Sequence, residues 1–238
     1  MRRAIINEFE DLAEALSSYC TIFTYRLNNL CVKAEESSLL EVSIMVEGQM
    51  QNLEKCAIIA KDGDYDFMIF PKYDEDMMPI GKSILSVHPE FKQRVDTMKI
   101  DSADSDGNPK EIFAHYIRVT MPEVNDERYD VLKNGVDVAY KICKTQMEAA
   151  NSKADVQLGK LTIGESEENI ELIKQERDKL NKQWDDQRDK LYEQKQKEIE
   201  EAYQKWLSTV GEEALAKMER EEAHGINAGK SIRMTFEQ

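Results

Sequence analysis

The sequence is poor in residues that interrupt regular structure. Only 5 prolines and 10 glycines occur in 238 residues, so long elements joined by few turns are expected. Cysteine and histidine are also sparse. The 4 cysteines (Cys20, Cys31, Cys56, Cys143) show no CxxC and no framework spacing, and the 3 histidines (His88, His115, His224) lie far apart. Those spacings disfavour zinc sites and disulfides and point to buried free thiols in a reducing compartment. No metal ligands and no cofactor are expected. No apolar run reaches the length of about 18 residues that spans a bilayer. The basic start MRRAIINEFEDL turns acidic too early for a signal peptide. A cytoplasmic protein without membrane contact is the expectation. Cations are outnumbered, 32 Lys and Arg against 47 Asp and Glu, for a net charge of −15. That balance disfavours broad contact with nucleic acid, though it leaves room for a local basic patch.

Catalytic signatures are missing too. No Ser/His/Asp ordering, no Gly-rich phosphate loop before a helix and no histidine pair at metal spacing occurs. The chain is read as a non-enzyme with no small-molecule substrate. SADSDGN (102–108) has Asp104, Asp106 and Gly107 in step with a calcium loop. However, Ser102 holds the first ligand position and Phe113 the place of the closing glutamate, so it is read as an acidic surface loop. His115 has no recognisable partner and is read as structural or superficial.

What is present is hydrophobic periodicity. Ile5, Phe9, Leu12, Leu16, Tyr19, Phe23, Leu27 and Leu30 recur at three and four, one stripe along a long helix that ends near KAEESS, at Ser37 and Ser38. LLEVSIMV (39–46), CAIIAKD (56–62), YDFMIFPK (65–72) and HYIRVTMP (115–122) are short runs rich in Ile, Val and aromatics, bounded by turn residues, and read as strands. Lys61-Asp62-Gly63-Asp64 is a hairpin-type turn. MPIGKSILSV (78–87) is read as a short helix and DSADSDGNPKE (101–111) as a loop. After Pro122, Asn125 or Asp126 can cap a second long helix, with Glu127 and Asp130 favouring its positive end. Its seam is Tyr129, Leu132, Val136, Ala139, Cys143, Met147, Ala150 and Ala154. Gly159 and Gly164 interrupt it, and GESEEN (164–169) opens a third helix. That helix carries Ile170, Ile173, Leu180, Trp184, Leu191, Ile199, Tyr203 and Trp206 in a narrow stripe within dense charge, read as a solvated face with ion pairs.

Three helices with one apolar stripe each satisfy one another as an antiparallel bundle. The fold class is therefore α+β, a long three-helix bundle with a small β-rich domain inserted between helices one and two. Residues 1–36 and 123–206 are assigned to the bundle and 37–122 to the insertion. Residues 207–238 form a C-terminal extension, whose KSIRMTF (230–236) reads as strand-like.

Four stretches carry a resemblance. YIRVTMPEVNDERYDVL (116–132), SSLLEVSIMV, DFMIFPKYDEDMMPIGKSI and VQLGKLTIGESEENIELIKQERDKLNKQWD are similar, in that order, to segments of ribosome recycling factor, over roughly residues 5 to 206. The resemblance implies a non-enzymatic factor that binds the ribosome in the intersubunit space and helps to split post-termination complexes. It implies a bundle lying against ribosomal RNA and an inserted domain that swings on Glu36, Ser37 and Ser38 and on Pro122, Glu123 and Val124. The family's second helix carries paired arginines that contact RNA. Here QMEAANSKAD (146–155) takes that place, with no arginine, only Lys144 and Lys153 nearby, and Glu148 added. The family's first helix ends in an Arg-Thr-Gly-Arg-type stretch. The counterpart CVKAEESS (31–38) keeps only Lys33 and adds Glu35 and Glu36. Lysine cannot copy the bidentate fork of arginine, and glutamate repels phosphate. Arg118 and Arg128 match the family but sit near the domain junction. The remaining RNA-binding candidates are Lys33, Arg128, Lys133, Lys141, Lys144 and Lys153. The alternative reading keeps the fold without the RNA: a paralogue that binds a protein partner through its acidic helices or its C-terminal extension.

Overall fold

In the computed structural model, residues 2–46, 48–103 and 109–234 are described. Three long helices carry the architecture: α1 (Arg3–Asn29), α4 (Asp126–Leu161) and α5 (Glu167–Met234). They pack around one core. α1 contributes Leu12, Leu16, Cys20, Phe23 and Leu27, α4 Leu132, Val136, Ala139, Cys143, Met147 and Ala154, and α5 Ile199. The expected stripes of α1 and α4 are thus the faces turned inward. Each fully buried Leu, Ile, Phe or Met contributes about 1.5–3 kcal/mol by leaving water.

The third helix departs from expectation in its core. Arg188 occupies an inward position on α5 and is buried. Its guanidinium bonds Asp185 at 2.5 Å and Asp189 at 2.8 Å and lies 5.0 Å from the Tyr140 ring. A narrow apolar stripe suffices because the cation is neutralised in place. α5 also runs without a break through Gly211 to Met234, so residues 230–234 are helical and not the expected strand. No proline interrupts that run, and a strand there would need a partner edge. Residues 235 and 236 lie outside the described residues.

Between α1 and α4 the chain builds a small α/β unit. A two-stranded sheet, β1 (Ser43–Val46) with β2 (Gln49–Asn52), and the single turn α2 (Leu53–Cys56) lead into a four-stranded antiparallel sheet of order β3-β4-β6-β5. Its strands are β3 (Ala57–Lys61), β4 (Asp66–Pro71), β5 (Lys92–Ala103) and β6 (Pro109–Thr120), with α3 (Met77–Val87) between β4 and β5. The inward faces alternate as a half-buried sheet requires: Phe67 and Ile69 from β4, Ile117 and Val119 from β6, against Ile80 and Ile84 of α3 and Ile44 of β1. Gly63 turns the β3–β4 hairpin at φ +86°, a left-handed conformation that favours glycine.

The first predicted strand is shorter than expected. Residues 36–39 form a 3₁₀ turn and only Ser43–Val46 is extended, because Leu39 and Val42 both turn into the core. The first helix likewise stops at Asn29, where Cys31, Val32 and Ala34 become buried. β2 and β5 were not expected, and of the predicted loop 101–111 the described residues, 101–103 and 109–111, are strand. β5 sits at the sheet edge with Lys92 to Val95, Thr97 and Lys99 exposed, so neither face imposes an apolar alternation on its sequence. β6 pairs with β4 only from Ile117 to Thr120, whereas it pairs with β5 along its whole length. The ribbon therefore projects beyond the sheet. Asp104, Asp106 and Gly107 of the calcium-like stretch lie outside the described residues.

Candidate nucleic-acid interface and interdomain junction

Asn125 starts α4 as an N-cap, its side-chain oxygen accepting from the Arg128 N–H at 2.9 Å. Residues Asp126 onward then distribute the candidate cations over two flanks. Lys144 and Lys153 are nine residues apart, which at about 100° per residue places them on opposite sides of the helix. The same spacing puts Lys133 and Lys141 with Lys144 on the flank toward α5, and Arg128 with Lys153 on the flank toward α1.

Three of the six candidates are engaged within the protein. The Arg128 guanidinium turns inward and donates to the Cys31 carbonyl at 2.6 Å, and burial pushes its pKa below the usual arginine range. Lys133 donates to the Tyr129 hydroxyl at 3.1 Å and lies over that ring at 5.1 Å. Lys33 pairs with Glu35 at 3.2 Å. Lys141, Lys144 and Lys153 are exposed and, among the described residues, in no salt bridge. Arg118, the other arginine matched by resemblance, is surrounded by acid. It donates to Asp62 at 2.5 Å and Asp96 at 3.3 Å, with Asp66 at 4.0 Å. Hydrogen bonds to Tyr116 and Asp62 raise its pKa further.

The hinge candidates differ in burial, with Glu123 exposed and Ser37 and Pro122 partly buried. Ser38 and Val124 are buried, and Glu36 opens the 3₁₀ turn Glu36–Leu39 together with Ser37. Pro122 and Glu123 line a groove of about 440 Å³ with Leu30, Glu90, Arg128 and Val131. His88, also buried, donates from Nε2 to the Ser38 carbonyl at 2.9 Å and stacks on Phe91 with ring centres 4.5 Å apart. The inserted unit is tied on at two further points. The Ala34 N–H donates to the Asp64 carbonyl at 2.7 Å, and Lys205 of α5 bonds the Asp64 carboxylate at 2.6 Å. That ion pair holds the Asp64 carboxyl below the usual range.

Sequence reading missed the polar seam between α4 and α5. Tyr129 donates to Glu200 at 2.6 Å and Tyr140 to Asp189 at 2.8 Å, from α4 to α5. Tyr192 donates to Asp137 at 2.8 Å and Tyr203 to Asp126 at 2.6 Å, in the other direction. The bond to Asp126 pushes the Tyr203 hydroxyl up to about 12, and Tyr129 holds the Glu200 carboxyl low. All four pairs share one antiparallel offset. The tyrosines were visible in the sequence, but the acids opposite them look like ordinary surface charge.

No protein-family model and no curated protein sequence matches the chain. Solved structures do. A solution structure of the ribosome recycling factor superposes with a TM-score of 0.65 at 16% identity, covering 84% of this chain and all of that one. The chain has the fold of ribosome recycling factor. A second match is the T. thermophilus ribosome recycling factor, described with E. coli elongation factor G bound to the E. coli post-termination complex. It has a TM-score of 0.52 and 18% identity and covers 82% of this chain and 98% of that one. The α+β class and the β unit inserted after the first helix agree with that recycling-factor fold. Among the described residues no helix is long and apolar enough to cross a membrane, and no cluster of His, Cys, Asp and Glu could hold a metal ion.

Proposed function

We propose that the protein is a non-enzymatic, cytoplasmic factor of recycling-factor type that binds ribosomal particles through its helical body. The observation that supports this reading is the extent of the fold match, which takes in the whole length of a solved recycling factor. In this reading Lys141 and Lys144 meet phosphate from one flank, Lys153 lies on the other flank, and Arg128, Lys133 and Lys33 are held by partners within the protein. The body comprises residues 1–36 and 123–206, and the inserted domain moves about 36–38 and 122–124 once Lys205 releases Asp64. Cosedimentation of the full chain with purified 70S ribosomes tests it. Salt-sensitive binding supports the proposal, and free protein at low salt sinks it.

A second reading has its own observation. The free cations on α4 lie on opposite flanks, and the chain carries a net charge of −15, an arrangement poorly suited to a continuous phosphate track. Under this reading the recycling-factor fold serves as a protein-binding module without recycling activity. A pull-down that recovers ribosomal particles alone would count against it.

A further inference from the structure

α4 has a second apolar stripe, on the side away from the core. Val131, Val138, Ile142 and Val156 are 63%, 47%, 39% and 59% exposed. The positions between them are Gly135, Thr145, Ala149 and Ser152, all small. Together these eight residues recur at alternating steps of four and three from 131 to 156. Positions at that average of about 3.6 residues lie along one face of a straight helix, here a seam in which four of the eight are Val or Ile. α1 and α5 cover the other sides of α4; Leu30 lies against Gly135 at the edge of the stripe, while Val131, Val138, Ile142 and Val156 stay exposed.

Charge identifies what fits it. We infer that this seam pairs with the same seam of a second copy, the two α4 helices running antiparallel about a two-fold axis near Cys143 and Lys144. In that register Val131 meets Val156 of the second copy, Val138 meets Ala149 and Ile142 meets Thr145, each larger side chain opposite an equal or smaller one. On the outer flank Lys141 of each copy then faces Glu148 of the other. Both are exposed and, among the described residues, neither is in a salt bridge. At each end Lys160 approaches Glu127 beside the groove lined by Glu90 and Glu123. A two-fold axis makes every such pair twice, so the surface is complementary to itself. A parallel pairing in register sets Lys141 against Gln146 and leaves both charges unmatched.

This inference does not depend on the ribosomal reading. Sedimentation equilibrium of the full chain from about 1 to about 100 μM tests it, the range expected for a seam of mostly valine and small residues. The weight-average mass is expected to rise toward a dimer. Val138→Glu with Ile142→Glu, at exposed positions that leave the core intact, keeps the mass monomeric with an unchanged circular dichroism spectrum. Lys141→Glu or Glu148→Lys alone weakens the dimer roughly tenfold, and the two together restore it. A wild-type chain that stays monomeric throughout overturns the proposal. So does a dimer that ignores the double glutamate variant, or one that the combined charge exchange fails to restore.

Discussion

Salt provides the most direct check on how the body meets RNA. Each phosphate neutralised by a cation releases counterions, so log K falls with log salt at a slope of about −0.9 per contact. Six working cations would give a slope near −5.4, and a fourfold rise, from about 50 to about 200 mM KCl, would weaken binding by about 1,800-fold. The structure allows far fewer. Arg128 is committed to the Cys31 carbonyl, Lys133 to Tyr129 and Lys33 to Glu35. Of the remaining three, Lys153 points away from Lys141 and Lys144, so one face offers two cations, or three if Lys133 gives up its tyrosine. Two or three contacts predict a loss of about 12- to 40-fold over the same salt range. Pelleting with 70S ribosomes at six or more salt concentrations measures the slope directly. Lys141→Gln should flatten it by close to one contact, whereas Arg128→Met should leave it unchanged. A slope steeper than about −5 would refute the assignment, because it would require cations that the structure shows engaged elsewhere.

Other consequences are equally open to measurement. Arg128→Met removes a charged donor from the Cys31 carbonyl but also relieves a buried guanidinium whose Nη1 has no partner. Urea unfolding should register a loss of about 1–2 kcal/mol, and a loss above about 4 kcal/mol would mean the arginine anchors more than this bond. Gly159→Ala sits within α4 with open space where the new methyl goes; a gain of about 0.5–1 kcal/mol is expected from helix propensity alone, and destabilisation would contradict the packing described. The carboxyls of Glu165 (held by Arg2), Glu200 (held by Tyr129) and Asp189 all titrate low; for Asp189 burial acts upward but Arg188 and Tyr140 outweigh it. Their stabilisation is present above the ordinary carboxyl range of about 4 and lost as pH falls through their lowered values. Thermal melts should therefore hold from neutrality to about pH 5 and fall below about pH 4, less steeply in Glu200→Gln, and a melting temperature independent of pH down to 3 would be inconsistent with those pairs.

How much of this could be read from sequence depended on whether burial imposed a period. Leu12, Leu16, Phe23, Val136, Cys143 and Met147 repeat at helical spacing because each faces one core, so the bundle was legible. Gly63 and Asn125 were legible because a turn and a cap each demand particular chemistry. β5 was not, since a strand with Lys92 to Val95, Thr97 and Lys99 exposed needs no apolar pattern; residues 92–100 suggested no element and 101–103 read as loop. Ser38 looked like a helix stop but is a buried acceptor for His88, a contact between positions 38 and 88 that no local rule anticipates. The outer stripe on α4 was hidden differently: its valines are plain in the sequence, but once one apolar face had been assigned, a second on the same helix looked like scatter. The candidate cations were found by residue type, yet which of them are free depends on partners distant in sequence, as with Arg128 and Cys31.

The four reciprocal tyrosine–carboxylate bonds also bear on how the long helices find their alignment during folding. Leucine and alanine tolerate sliding: a displacement of seven residues exchanges one oily contact for another. Here the same displacement breaks all four tyrosine–carboxylate bonds at once. Misaligned encounters between α4 and α5 are therefore short-lived, and the helices can search by slipping until every hydroxyl meets its acid. The seam works less as glue than as a check on correct assembly.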